Sequence, residues 1–173
     1  MAIETLFDAD EISARCREIG AQISDFYRDK PLTLVILANG GIFFGVDLSR
    51  QVDTPCWVDV IAVSSYTEDA KCSEPVFRCA PKLPVAGRHI LLVDDVLDSG
   101  ETIACCTGYF KKLGALSVAS AVLAEKPYPG RTVKADWKCF DAPDSYLIGS
   151  GMDSCEFYRN LNAVAVMSVQ AQD

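Results

Sequence analysis

Residues 91–103 read LLVDDVLDSGETI. An unbroken apolar run opens the stretch, two carboxylates follow, and then come two apolar residues, a third carboxylate, a hydroxyl and a glycine. Apolar residues at consecutive positions fit a strand covered on both faces, as the strands of a parallel sheet are. The reading places that strand at Ile90–Val93, a loop carrying Asp94, Asp95 and Asp98, and a helix with Ile103, Cys106, Phe110 and Leu113 on one side, ended by Gly114. Three carboxylates in one loop disfavour joint ionisation unless a cation, sugar hydroxyls or backbone donors absorb the charge. Ser99, Gly100, Glu101 and Thr102 bring hydroxyls and unbonded amide N–H groups to the helix amino terminus, a site suited to one phosphate. Acids that bind a diol beside a phosphate cradle describe a ribose 5-phosphate.

Upstream, Ile12, Cys16, Ile19, Ile23 and Phe26 recur at steps of four and three, predicting a helix over Asp10–Arg28 capped by Asp8 or Asp10. Lys30-Pro31 stops it, Leu32–Leu37 reads as a second doubly buried strand ending in Asn39-Gly40-Gly41, and a helix follows from Ile42 to Arg50. Trp57–Ser64 reads as a strand, and the charged, proline-containing stretch after it exceeds the usual length of a connection, which marks residues 65–84 as a cover over a site. Downstream, Ser117–Ala124, Trp137–Phe140, Tyr146–Ile148 and Ala163–Val169 read as strands. Strands alternating with helices predict an α/β fold built on a parallel sheet.

Composition bounds the function. The chain has 173 residues, half of them apolar, and a formal charge of −8, which bounds it to one or at most two compact domains without a broad basic face for nucleic acid. No apolar run reaches the roughly 20 residues of a membrane span, and the acidic start MAIETLFDADE is unlike a secretory signal, so a cytoplasmic location is expected. The eight cysteines form no C-x-x-C pair and the single histidine, His89, precedes an apolar strand, which excludes a zinc spacing. They read as reduced thiols, with Cys72 and Cys79 exposed to oxidation.

The 91–103 stretch closely resembles the phosphoribosyl-pyrophosphate signature of the type I phosphoribosyltransferases: apolar strand, two acids, two apolar residues, Asp, Ser or Thr, Gly, any residue, Thr. The resemblance narrows to the hypoxanthine-guanine branch, because LANGGIFFGVDLSR (37–50) looks like the pyrophosphate loop and helix. WVDVIAVSSY (57–66) looks like the strand into a mobile loop, and residues 126–161 like a purine-binding segment. The resemblance implies a parallel sheet flanked by helices with a small hood formed by chain-terminal segments. It implies one domain over 1–173: a core of about 30–125, a hood of about 1–12 and 126–173, and a mobile loop of about 65–84.

It also implies roles. Asp98 would handle the purine proton, and Asp94, Asp95, Ser99, Gly100, Glu101 and Thr102 would bind ribose and its phosphate. Asn39, Gly40, Arg159, Ser65 and Tyr66 would meet pyrophosphate, Lys134 the purine 6-oxo group, Tyr146 the ring face and Leu147 the ring edge. Asp153 would lie at the purine and join Asp94 and Asp95 in holding Mg2+. A lysine offers donors and no acceptor, which selects a carbonyl over an amino group. The implied reaction joins a 6-oxopurine, hypoxanthine or guanine, to phosphoribosyl pyrophosphate, in a homodimer or homotetramer. Asn39 stands where many relatives carry a basic residue, which leaves a non-catalytic nucleotide sensor as the alternative.

Overall fold

The computed structural model describes residues 2–64 and 76–168. Strand β1 (Ala2–Phe7) leads into helix α1 (Ala9–Phe26), then β2 (Leu32–Ala38), α2 (Ile42–Ser49), β3 (Cys56–Ser64) and β4 (Val76–Cys79). After these come β5 (His89–Leu97), α3 (Glu101–Lys112), β6 (Ser117–Glu125), β7 (Trp137–Asp141), β8 (Leu147–Ile148) and β9 (Val164–Ser168). Six strands form the main sheet in the order β4-β3-β2-β5-β6-β7, parallel throughout except for β4, which runs antiparallel to β3. β1, β9 and β8 make a separate antiparallel sheet from the two ends of the chain.

The apolar runs go where doubly buried strands must. Leu34 and Ile36 of β2 with Leu91 and Val93 of β5 face α1 and α2, while Val35, Leu37 and Leu92 face Ile103, Cys106 and Phe110 of α3. Asp8 caps α1, its carboxylate accepting from Asp10 N at 3.0 Å and Glu11 N at 2.9 Å, and Glu11 returns a bond from Asp8 N. Ile12, Cys16, Ile19 and Ile23 are buried as the periodicity predicts, but Phe26 is 54% exposed. The helix ends there, and Tyr27, turning out of the helical path at the cap, takes the buried place instead.

Two strands escape the sequence reading, β1 in the acidic amino-terminal segment and β4 within the stretch read as a loop. Cys79 accordingly sits half-buried on β4, its Sγ donating to the Val60 carbonyl at 3.7 Å. Ser65, Tyr66 and Cys72 lie outside the described residues. Among the described residues no helix is long and apolar enough to cross a membrane.

Chain order fixes where a site can form. From β2 the chain moves outward to β3 and then returns past β2 to β5, so β2 and β5 are neighbours whose exits lead in opposite directions. Such a reversal opens a crevice beyond the carboxyl ends of the two strands. β5 also runs longer than the sequence suggests. Its pairing with β2 stops at Ile36–Val93, whereas its pairing with β6 continues to Leu97–Glu125. Asp94 and Asp95 therefore stand on a strand hydrogen-bonded on one side only, with the crevice on the other.

Candidate active site

Three adjoining compartments occupy the crevice. The first, about 220 Å³, is lined by Asn39 and Gly40 beyond β2, Asp94 and Asp95 on β5, Thr102 and Arg159. A second, about 190 Å³, lies between Asp95, Lys126, Tyr146, Leu147, Met152 and Asp153. The third, about 80 Å³, is enclosed by Asp98, Ser99, Gly100 and Thr102 at the amino terminus of α3. A larger groove of about 720 Å³ lies at the opposite ends of the strands, against Ser24, Arg28 and Asp53, and shares none of these residues.

Close backbone approach builds the first compartment. A Cβ on Gly40 would land on the Asp95 carboxylate, and one on Gly151, at φ 103°, would strike the Gly40 carbonyl. Only glycine permits either arrangement, so the 149–153 turn can close onto the strand ends. Gly100, at φ 84°, turns the chain from β5 into α3, and Glu101 N donates to Ser99 Oγ at 3.3 Å.

Burial pushes the Asp94 carboxyl well above the usual carboxylate range, and the neighbouring Asp95 charge adds to the effect. Burial raises Asp95 too, opposed by its contact with Asp94, by the Val96 amide and by the Arg159 guanidinium. Backbone donors compensate in part: Asp95 N donates to Asp94 Oδ1 at 3.0 Å and Val96 N to Asp95 Oδ1 at 2.8 Å. The crowding expected of this loop thus falls on the pair inside the strand. Asp98 lies apart, 52% exposed, with Lys126 Nζ 3.4 Å from its Oδ2.

One sequence expectation changes. Lys134 is exposed and lines none of the three compartments; Lys126, one residue beyond β6, reaches the second compartment instead. The reason is positional: Lys126 N donates to the Leu97 carbonyl at 3.0 Å, which ties it to the end of β5, whereas Lys134 lies beyond the turn that leads to β7. Asp153 lines the second compartment together with Asp95, and its carboxylate is engaged there. Its Oδ1 lies 2.7 Å from Arg159 Nη2 and its Oδ2 accepts from Glu156 N at 2.8 Å. Arg159 is held further by donating to the Gly151 carbonyl at 2.7 Å. Tyr146, 57% exposed, donates to the Asp153 carbonyl at 2.9 Å, while Leu147 beside it is buried.

Among the described residues no three His, Cys, Asp or Glu side chains converge as a metal cage. Asp94 and Asp95 nevertheless suit a hard divalent cation, because Mg2+ is held by one or two carboxylates with water and substrate phosphates completing its shell. The elevated proton affinity of the pair expresses the same unbalanced negative charge.

Comparison with known proteins agrees with this geometry. The family model described as phosphoribosyl transferase domain matches residues 2–154. The hypoxanthine-guanine phosphoribosyltransferase of Streptococcus pneumoniae is 35% identical over 168 residues, 95% of this chain and 92% of that protein. Its Bacillus subtilis counterpart is 33% identical over the same shares. A crystal structure of a hypoxanthine phosphoribosyltransferase from Staphylococcus aureus superposes with a TM-score of 0.88 at 28% identity, covering 95% of this chain and 91% of that one. With the signature, the crevice and these relatives in agreement, the chain belongs to the phosphoribosyltransferase family, in its hypoxanthine-guanine branch.

Proposed function

We propose that this enzyme transfers the phosphoribosyl group of phosphoribosyl pyrophosphate to a 6-oxopurine, hypoxanthine or guanine, for purine salvage. A bond forms between the anomeric carbon and a purine ring nitrogen while the bond to pyrophosphate breaks, and pyrophosphate leaves with the electron pair. The observation that carries this reading is the joining of three compartments around one carboxylate pair. The Asp98–Thr102 pocket suits the 5-phosphate, the Asn39–Arg159 side suits pyrophosphate, and the Tyr146–Leu147 side suits a flat ring.

Asp94 and Asp95 hold the ribose hydroxyls and lend negative charge near the cationic anomeric carbon, a stabilisation made mainly in the transition state. Ser99, Gly100, Glu101 and Thr102 present donors to the 5-phosphate at the start of α3. Asn39, Gly40 and Arg159, with Ser65 and Tyr66, meet pyrophosphate, the guanidinium as a fixed positive charge. Bound Mg2+ would supply charge neutralisation to the departing pyrophosphate, with Asp94 and Asp95 as its protein ligands. Tyr146 covers the ring face, the Leu147 backbone reads its edge, and Asp98 accepts and holds the proton at purine N7.

Lys126, rather than Lys134, donates to the 6-oxo group. Lys126→Met is expected to raise the KM for hypoxanthine by about tenfold to a hundredfold, the range for losing a charged hydrogen bond, whereas Lys134→Met stays within about twofold. Steady-state kinetics of the two variants decides, and the reverse ranking would refute the assignment.

We place the enzyme in the cytoplasm, in keeping with the free thiols of Cys16, Cys56, Cys79, Cys139 and Cys155. We read it as one domain with a core of about 30–125, a hood of about 1–12 and 126–173 and a covering loop of about 65–84. Self-association as a homodimer or homotetramer would cover exposed apolar side chains such as Ile42, Phe43 and Val46 on α2. Sedimentation at micromolar concentration checks this, and a monomer contradicts it. No observation favours the sensor reading.

A further inference from the structure

Arg131 lines none of the three compartments, yet it is the most fully engaged cation beside them. Its Nη1 donates to the carbonyls of Leu97 at 3.2 Å, Asp98 at 2.9 Å and Lys126 at 2.8 Å, and its Nε to the Val133 carbonyl at 2.9 Å. Its Nη2 pairs with Glu125 Oε1, and both side chains are only 9% exposed. The other Glu125 oxygen lies 3.0 Å from Lys138 Nζ. The Arg131 stem packs over Gly100, where a Cβ would approach Arg131 Cδ at 3.3 Å and Cγ at 3.4 Å.

A buried ion pair is a weak source of stability, since well-packed apolar side chains of similar volume serve as well or better. The pair does something an apolar replacement could not. One guanidinium joins the carbonyls at the end of β5 to the carbonyl just after β6, and these two segments carry the facing Asp98 and Lys126 side chains. The planar fork with five fixed donors suits that task, and a lysine ammonium does not reproduce it.

We propose that Arg131, anchored by the buried Glu125, is a positioning residue that holds Asp98, at the edge of the 5-phosphate pocket, in register with Lys126 of the adjoining purine compartment. The inference rests on the proposed roles of those two residues. Misplacing a reacting group by about 1 Å costs about a hundredfold in rate, and the strut prevents such a shift.

The test is steady-state kinetics with saturating phosphoribosyl pyrophosphate and varied hypoxanthine, on Arg131→Lys, Glu125→Gln and Asp98→Asn, alongside thermal melts. Arg131→Lys keeps a cation for Glu125 but loses the fork, so kcat is expected to fall about tenfold to a hundredfold and the KM for hypoxanthine to rise in the same variant. Glu125→Gln leaves the carbonyl bonds in place and is expected to lose less, which keeps the test informative if Arg131→Lys folds poorly. A merely structural role lowers the active fraction and the melting temperature without moving KM. Unchanged KM in Arg131→Lys therefore overturns the proposal. Wild-type kinetics in Arg131→Lys with a large loss in Asp98→Asn contradicts the strut and spares the reading of Asp98. Full turnover in Asp98→Asn contradicts both, since the strut then positions nothing that the reaction needs.

Discussion

Asp98→Asn is expected to lower kcat by about a hundredfold to a thousandfold, the range for removing a positioned acid or base, with little change in stability. The carboxylate is half open to solvent and its ion pair with Lys126 is long, at 3.4 Å, so Asn loses little packing and only a weak, solvent-screened ion pair. Exposed substitutions of this kind shift stability by about 0.5 kcal/mol or less. What Asn lacks is the capacity to take up a proton as the purine nitrogen attacks. The loss should fall on kcat more than on the KM for the base, because ring stacking on Tyr146 and the Lys126 contact persist. Single-turnover kinetics and a thermal melt on one preparation separate these effects, and a kcat within about threefold of wild type would remove Asp98 from the chemistry.

Asp94→Asn is expected to act in opposite directions on stability and turnover. The Asp94 carboxyl is held well above the ordinary range by burial and by the Asp95 charge, so its ionised form destabilises the fold. The sign follows from linkage. With a native value above the unfolded one, the folded state binds more protons in the interval between them, and the group's contribution worsens as pH rises through that interval. Asn removes the charge, and at neutral pH the variant should melt at a higher temperature than wild type. The gain should shrink as pH falls toward the ordinary carboxylate value, where the wild-type group is protonated in both states. Turnover should fall by about tenfold or more, because the charge that burdens the folded chain stabilises the developing cation of the bound donor. Melts of both proteins from pH 4 to 8 read the difference directly, and a variant less stable than wild type at neutral pH would show that the carboxylate is structural.

Much of this arrangement was legible in the sequence because a few residues carry it. The short, mostly apolar runs at 32–37 and 90–93 are doubly buried strands, as their length and their turn-forming flanks suggest, and Asp98-Ser99-Gly100 marks the turn into α3. Other features depend on partners that spacing does not reveal. β5 continues through Asp94 and Asp95 because β6 supplies hydrogen bonds there after β2 has ended. The amino-terminal strand β1 is recruited by β9, more than 150 residues away. Choosing between Lys126 and Lys134 requires knowing that β6 ends beside the close of β5. Arg131 was illegible for a related reason: its partners are mostly backbone carbonyls, which leave no trace in residue identity.

The central claim is transfer to a 6-oxopurine, and its most direct test is pyrophosphate release from phosphoribosyl pyrophosphate with magnesium and, in turn, hypoxanthine, guanine, xanthine or adenine. The expected result is release matched by nucleoside 5′-monophosphate with at least one 6-oxopurine, and release at least about a hundredfold slower with adenine, which offers Lys126 no 6-oxo acceptor. Donor binding without release on any base, or equal turnover of adenine, would contradict it.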